Sequence, residues 1–451
     1  MTIPVVRLWV VALATSLLAA VAYGQGTARP PAPPVPPVTE AEPEPINDSE
    51  GYTPPSEGSG APSALSINGY VDVGFAHAQG DGTSFAPNDT RVPLDYGVDT
   101  FAPAVNSRGD VASTDPGPGR TVNGFLPRSA GIGGRPSFLL NTLSVDLKYA
   151  PSGAPLMVFS RVAFLPRYMG VDGDGTRVVV EQAFGRLVPF ESQELALSAG
   201  KFDSVFGIEY LDNQANIRTG ITPSLIARYT TGQSIGAKLF YRVHIAPLWS
   251  ALSLNVAATN SGNFVESLQP PDASLTGTPV ASGRLGYELN APVLQAKLGV
   301  SAMYGPRNDQ FERTANQRVY GADVRIAVAG IYVNAEYVRV DEGQGTPKTT
   351  SLGAWPFSSG FAARGGYVQL AYALTLDLGP LRRLTLYVRY DRRHAWFDGF
   401  TPITVDRFTG GLRIDLWDAV ILKGEYLENR ELAGAPTVAN NVITSSLVYS
   451  W

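Results

Sequence analysis

The chain has 451 residues, of which 44% are hydrophobic, 17% charged and 10% aromatic, with 47 Gly, 35 Pro, no Cys and a formal net charge of -5. The lack of Cys excludes disulfides, thiolate metal sites, Cys nucleophiles and a lipidated N-terminal Cys, and without a basic excess there is no electrostatic footprint for nucleic acid. Many Gly, Pro and aromatic residues with little charge favour strands and turns over helix bundles.

Residues 1–24 carry one early cation, Arg7, an apolar stretch from Leu8 to Ala22 and the small residues Ala20, Ala22 and Gly24. This is the pattern of a secretory signal peptide, with cleavage expected between Ala22 and Gln25. No other segment approaches the ~18 uninterrupted apolar residues of a spanning helix. Residues 25–64 hold PPAPPVPPV, EAEPEP and a Gly/Ser/Pro stretch. Such a composition cannot bury enough apolar surface to offset chain entropy, so an extended, disordered periplasmic arm is expected.

From residue 65 to 451 the dominant pattern is alternation, the signature of strands with two chemically different faces. Leu65, Ile67, Val71, Val73 and Phe75 oppose Ser66, Asn68, Asp72 and Gly74, and Leu139, Leu143, Val145, Leu147 and Tyr149 oppose Thr142, Ser144, Asp146 and Lys148. About 16 segments of ~8 to 12 residues follow this rule, beginning near 65, 138, 156, 178, 194, 235, 250, 280, 294, 319, 331, 367, 384, 404, 419 and 442. That length suits a tilted strand crossing a bilayer. Short and long connections alternate strictly between them, as in an outer-membrane barrel with tight periplasmic turns and long external loops. Alternation alone does not choose between a soluble barrel and a membrane barrel with its faces inverted. The signal peptide, the loop asymmetry and the chain end do. The expected fold class is therefore all-β, a transmembrane antiparallel barrel of about 16 strands in a Gram-negative outer membrane.

The final residues, NVITSSLVYSW, place Ile443, Leu447, Tyr449 and Trp451 on one face. They resemble the assembly signal of outer-membrane barrels, which end in an aromatic residue, most often Phe. The barrel assembly machinery and outer-membrane lipid are the partners that this implies.

A 33-residue connection without a strand pattern, 202–234, carries Asp203, Glu209, Asp212, Arg218 and Arg228 among Phe206, Tyr210, Ile221, Leu225 and Ile226. Long structureless loops are usually functional, and these apolar residues need a surface to pack on. The barrel lumen supplies one, and an external loop over the mouth is the alternative. The stretch Gly200 to Gly232, GKFDSVFGIEYLDNQANIRTGITPSLIARYTTG, is similar to the strand-to-loop region of the phosphate-selective porin O and P superfamily, especially its OmpL-like porin-2 relatives. The resemblance implies a 16-stranded channel, usually trimeric, in which a loop folds into the pore. On this reading the constriction would be formed by Lys201, Asp203, Glu209, Asp212, Arg218 and Arg228, with the charged residues of the loop pointing into the channel.

Cations expected on the inner wall are Lys148, Arg161, Lys238, Arg242, Arg284, Lys297, Arg325, Arg389, Arg413 and Lys423. Arg393 shares that face with the carboxylates Asp146, Glu288, Asp323, Glu336, Asp377, Asp391, Asp415 and Glu425. On lipid such charges would each cost up to ~2 to 4 kcal/mol near the midplane, so a wet lumen is their natural place. Opposite charges at i, i+2 spacing, as in Asp146/Lys148, Asp323/Arg325 and Arg389/Asp391/Arg393, largely neutralise one another, which argues against a strong phosphate ladder.

No catalytic site is expected: there is no phosphate-binding loop, and His77, His244 and His394 lack metal-ligand spacing. Asp172 and Asp174 in DGDGT resemble the start of a calcium loop, but Ala183 stands at its twelfth position and a hairpin tip is expected instead. No cofactor is expected. The leading expectation is a passive channel for small hydrophilic solutes or ions, a homotrimer without catalytic residues. A structural or adhesive surface barrel, its lumen plugged by the long first loop from Ala76 to Ser137, is the alternative.

Overall fold

The computed structural model describes residues 64–80, 135–151, 153–165, 177–190, 194–245, 249–260, 279–306, 311–313, 316–343, 346–347, 349–350, 353–354, 361–397, 402–434, 437 and 439–451. The segments read as signal peptide and, but for residue 64, as Pro-rich arm lie outside the described residues, as do Asp172 and Asp174.

Sixteen antiparallel strands form one closed barrel in which each pairs with its chain neighbours and the last with the first. They are β1 (Leu65–Ala78), β2 (Ser137–Tyr149), β3 (Leu156–Leu165), β4 (Arg177–Leu187), β5 (Glu194–Asp203), β6 (Gln233–Ile245), β7 (Ser250–Thr259) and β8 (Val280–Ala291). Then follow β9 (Leu294–Pro306), β10 (Asn316–Val328), β11 (Ile331–Glu342), β12 (Phe361–Leu378), β13 (Leu381–Phe397), β14 (Ile403–Leu416), β15 (Val420–Glu431) and β16 (Val442–Ser450). Every strand begins within three residues of its expected start except β12, which begins at Phe361 where 367 was expected. β12 and β13, at 18 and 17 residues, outrun the expected length because their hairpin continues past the apolar band on its long-loop side.

The alternation is inverted relative to a water-soluble barrel. Along β7, Leu252, Leu254 and Val256 are exposed on the outside while Ser253 and Asn255 are buried on the face turned to the barrel axis. Such a body suits a surrounding of hydrocarbon, where closure leaves no strand edge unpaired. At the short-link end, Ala329 and Gly330 both take positive φ, 48° and 80°, the two-residue hairpin geometry whose twist matches the flanking strands. Trp249 and Trp417, also at short links, are exposed there, as expected of an interfacial aromatic belt.

One face assignment is corrected. Between Asp72/Thr142 and Val73/Leu140 the β1–β2 register slips, leaving Asn141 as an extra residue. A bulge of one residue reverses the parity beyond it. Leu139 is therefore turned inward at 7% exposure, against Ala76, Ala78, Leu427 and Val442, while Phe138 stands outside at 84%. The bulge is tied down by Asp72, whose Oδ1 accepts from Asn141 Nδ2 at 3.1 Å and from Ser446 Oγ at 2.5 Å.

Ile443, Leu447, Tyr449 and Trp451 are all exposed on the outer face. Trp451 also closes the seam: its N–H donates to Gly69 O at 3.1 Å and its carbonyl accepts from Gly69 N at 3.2 Å.

Candidate functional site

Between β5 and β6, residues 204–232 form an irregular segment with a 3₁₀ turn over Glu209–Asp212 and one helical turn, α1 (Ala227–Thr230). A free loop of this length would expose Phe206, Ile221, Leu225, Ile226 and Tyr229, yet all five are buried. Four of them, Phe206, Leu225, Ile226 and Tyr229, join a cluster with Val280, Met303, Val319, Val338, Val340, Ala363, Tyr367, Ala395, Ile403 and Val405. Those wall residues lie on the inner face of β8 to β14 towards the long-loop end. The inner face of these strand ends is thus apolar, unlike the charged inner face nearer the short links, which is why period-2 reading did not single out the surface on which the segment rests.

Two glutamates hold the backbone. Glu336 of β11 accepts the N–H groups of Ile208 and Glu209 at 3.3 and 3.1 Å. Glu425 of β15 accepts those of Ile221 and Thr222 at 2.7 and 2.9 Å, the Thr222 hydroxyl at 2.8 Å and the Tyr387 hydroxyl at 2.6 Å. Each anchor needs a residue without Cβ beside it. At Gly207, where φ is 72°, a Cβ would collide with the Glu336 carboxylate, and at Gly220 it would collide with Glu425. Asp391 accepts Leu225 N at 3.1 Å, and Ser301 Oγ of β9 accepts Gly207 N at 3.1 Å.

Cations of the same wall take the carbonyls. Arg325 donates to Ile208 O at 3.0 Å and to the Asp212 carboxylate at 2.6 Å. Arg389 donates to Thr222 O at 2.9 Å and Pro223 O at 3.1 Å, and Arg407 also reaches Pro223 O at 3.1 Å. Arg413 donates to Ile217 O and Arg218 O at 3.0 and 3.1 Å, and Lys423 Nζ to Ala215 O, Arg218 O and Gly220 O at 2.6, 2.5 and 3.0 Å. Arg393 donates to the Tyr229 hydroxyl at 2.8 Å. Charge-assisted bonds of this kind contribute about 1.5 to 3 kcal/mol each when both partners are already desolvated.

The expected constriction residues separate on this geometry. Glu209 is buried and accepts Ser224 N at 2.7 Å and Ser224 Oγ at 2.5 Å, pinning one arm of the segment to the other. Arg218 is buried, donates from Nε to Asp212 O at 3.0 Å, and has its pKa pulled down by burial against the pull of Glu209 and Asp212. Both charges thus serve the segment's own shape, in place of the expected orientation towards open channel. Asp203 ends β5 between Gln182 and Gln233. Lys201 stands in register with Ile235 and Ala183, both on the outer face, and donates to Val180 O at 2.6 Å, so it is set apart from the segment. Arg228 falls in α1, and its side chain lies outside the described residues.

The wall of β2 to β9 is different. Here Arg161 pairs with Asp146 at 2.7 Å, Arg284 with Asp323 at 2.5 Å, and Arg242 with Glu194 and Glu288 at 3.0 Å each, while Lys297 stands 4.0 Å from Glu288. Lys238 lies 5.1 Å over the Phe202 ring, and Lys148 is half-buried on the same inner face. Neutralisation between strands replaces most of the expected i, i+2 pairing, directly as in Arg161 with Asp146, or over a small residue of an intervening strand as in Arg284 with Asp323 across Gly299. Arg389 and Asp391, 2.9 Å apart, and Arg413 and Asp415, 2.7 Å apart, do pair within a strand. The side chain of Asp377 lies outside the described residues.

No family model and no curated protein matches the chain. Solved structures do. The outer membrane channel DcaP of Acinetobacter baumannii shares the fold at 12% identity and a TM-score of 0.50, over 86% of this chain and 97% of its own. OmpF of Salmonella typhi is 10% identical with a TM-score of 0.49, over 86% and 97% of the two chains. The anion-selective porin of Comamonas acidovorans is 10% identical with a TM-score of 0.48, over 86% and 99%. At 12% identity the DcaP likeness shows the fold: a closed barrel of porin type.

Glu336, Glu425 and Arg393 were expected on the inner wall but not as holders of the segment, and Arg407 was not expected there. Their partners lie more than a hundred positions away in sequence, and only the glycines at 207 and 220, beside apolar residues that need a surface, give any local sign of a close approach.

Proposed function

We propose that the protein is an outer-membrane porin through which small hydrophilic solutes or ions diffuse, with the 204–232 segment narrowing the lumen. The observation that carries this reading is the inverted barrel: exposed apolar residues all round the outside, and ionised side chains buried on the inner face, where only a water-filled or hydrogen-bonded interior makes them tolerable. The segment bonds to that inner face over β9 to β15. The polar lane left over β2 to β8, with Lys148, Arg161, Lys238, Arg242 and Arg284, is then the path for solute, where field and hydration set size limit and ion preference. A homotrimer, assembly through the chain's C-terminal strand and membership of the O and P superfamily belong to the same proposal, the last resting on Gly200 to Gly232 alone.

A second reading has one observation in its favour. Ala215 clusters with Tyr70, Ile421 and Val448, and with its amide turned Gln214 accepts from Arg161 Nη1 at 2.8 Å. The segment therefore reaches β1, β16 and β3 as well, the behaviour of a plug, while residues 81–134 of the first loop, expected in that role, lie outside the described residues. Planar-bilayer recording of the purified full chain separates the two. Steady ohmic steps are expected, and protein that inserts without conducting would establish the plugged barrel.

A further inference from the structure

At the long-loop edge of the outer face, one arc of the barrel is lined with arginine. Arg318 of β10, Arg339 of β11, Arg364 of β12, Arg392 of β13 and Arg430 of β15 all point outward and carry exposed or half-exposed side chains. Register makes them neighbours. Arg339 faces Arg364 directly, Arg364 faces His394, and Arg392 faces Asp406, which in turn faces Arg430. Immediately below lie exposed Tyr320, Tyr337, Val368, Val388, Phe408 and Tyr426. On β13 the outward charges Arg382 and Arg392 bracket the apolar positions Leu384, Leu386 and Val388. Ten residues at ~3.3 Å, tilted ~40°, span about 25 Å, the height of an apolar band in a membrane barrel. The arc therefore sits at the level of lipid headgroups.

Its own acids neutralise it only in part. Arg339 is bonded to Asp341 at 2.8 Å, Arg430 to Glu428 at 2.5 Å, and Arg392 lies 3.7 Å from Asp406, whose carboxylate also accepts the Tyr390 hydroxyl. Arg318 and Arg364 make no ion pair with another described residue. Like charges set directly opposite on neighbouring strands destabilise a sheet, so the Arg339–Arg364 pair, with Arg392 and His394 beside it, calls for an anion from outside. The same edge of β6 to β9 presents Ile235, Ala258, Ala281 and Tyr304, without an outward charge among the described residues.

We infer that this arc, centred on Arg339, Arg364 and Arg392, binds the phosphate groups of lipopolysaccharide in the outer leaflet. The inference rests on the outer-membrane reading above. Guanidinium forks fit phosphate oxygens two at a time, and Tyr337, Val368 and Val388 beneath them fit the acyl chains that hang from the same headgroup.

The test uses the folded full-length protein in detergent, titrated with phosphorylated lipopolysaccharide, with its dephosphorylated form and with inorganic phosphate, and read by native mass spectrometry. Phosphorylated lipopolysaccharide is expected to bind at least tenfold more tightly than the dephosphorylated form, and millimolar inorganic phosphate is expected not to displace it. The triple variant R339Q/R364Q/R392Q should lose at least tenfold in that affinity while keeping its conductance, and R382Q, at the opposite edge, should lose nothing. Equal binding of the two lipid forms, which needs no variant, overturns the inference, as does displacement by inorganic phosphate or an unaffected triple variant. A chain that does not fold into a lipid-inserted, heat-modifiable barrel would instead overturn the reading on which the inference rests.

Discussion

Two stretches of one lumen wall use the same residue types in opposite ways. Over β10 to β15 the buried charges of the wall bond mainly to the backbone of residues 204–232: Glu336 and Glu425 take its N–H groups, and Arg325, Arg389, Arg413 and Lys423 its carbonyls. Over β2 to β9, together with Asp323 of β10, the charges bond mainly to one another, as Arg161 with Asp146 and Arg284 with Asp323. A buried carboxylate facing loose backbone builds a fixed shape, because either partner left alone in the interior is expensive. A carboxylate already paired with a guanidinium of the wall leaves the segment's backbone unheld. Lumen-facing charge is thus not one functional class.

The sharpest way to break this contrast is to remove both anchors. E336A/E425A should release the segment, since loss of one partner from a buried charged cluster costs about 3 to 5 kcal/mol. Amide hydrogen exchange over 207–222 should lose its protection and single-channel conductance should rise, with the barrel still heat-modifiable. Retained protection would mean that the apolar cluster alone holds the segment. That cluster is tested by F206A: emptying a fully buried Phe site costs about 3 kcal/mol or more, read as earlier exchange in the 204–212 stretch and noisier open-channel current. G207A is milder. It adds a Cβ where φ is 72° against the Glu336 carboxylate, and should weaken the first anchor by about 1 to 2 kcal/mol while leaving exchange at 221–222 unchanged. The smallest structural effect belongs to the other region, where R284Q should leave exchange in the segment untouched and shift only the reversal potential in a salt gradient towards cations. A loss of protection in R284Q would erase the distinction between the two stretches.

Much of the barrel was legible from alternation. Each strand has one face that must meet hydrocarbon and another that must not, and this constraint is local, so Leu252/Ser253/Leu254/Asn255 declares itself without reference to any other strand. The bulge at Asn141 was not legible, since one extra residue leaves a run such as SFLLNTL apolar in either phase. Only the pairing of Val73 with Leu140 shows which way Leu139 turns. For the segment, an apolar loop in need of a surface was readable, but the roles of Glu209 and Arg218 were not. A charged side chain in a loop has the same sequence appearance whether it meets a solute or a serine fifteen residues away, as Glu209 meets Ser224.

The seam between β1 and β16 carries a kinetic consequence. Val71 and Tyr449 are register partners, so the ladder that completes the barrel joins residues almost the whole chain apart. Tethering ends separated by about 380 residues costs about 5 kcal/mol of chain entropy in a simple loop-closure estimate. Until that ladder forms, β1 and β16 each present a row of unpaired backbone groups, in a solvent that cannot satisfy them. Slippage by a single residue would put Leu447 and Tyr449 into the lumen and Ser446 onto lipid. Closure is therefore the step at which an almost complete sheet is either accepted whole or lost to another chain, and the bond from Trp451 to Gly69 sets the register in which it succeeds.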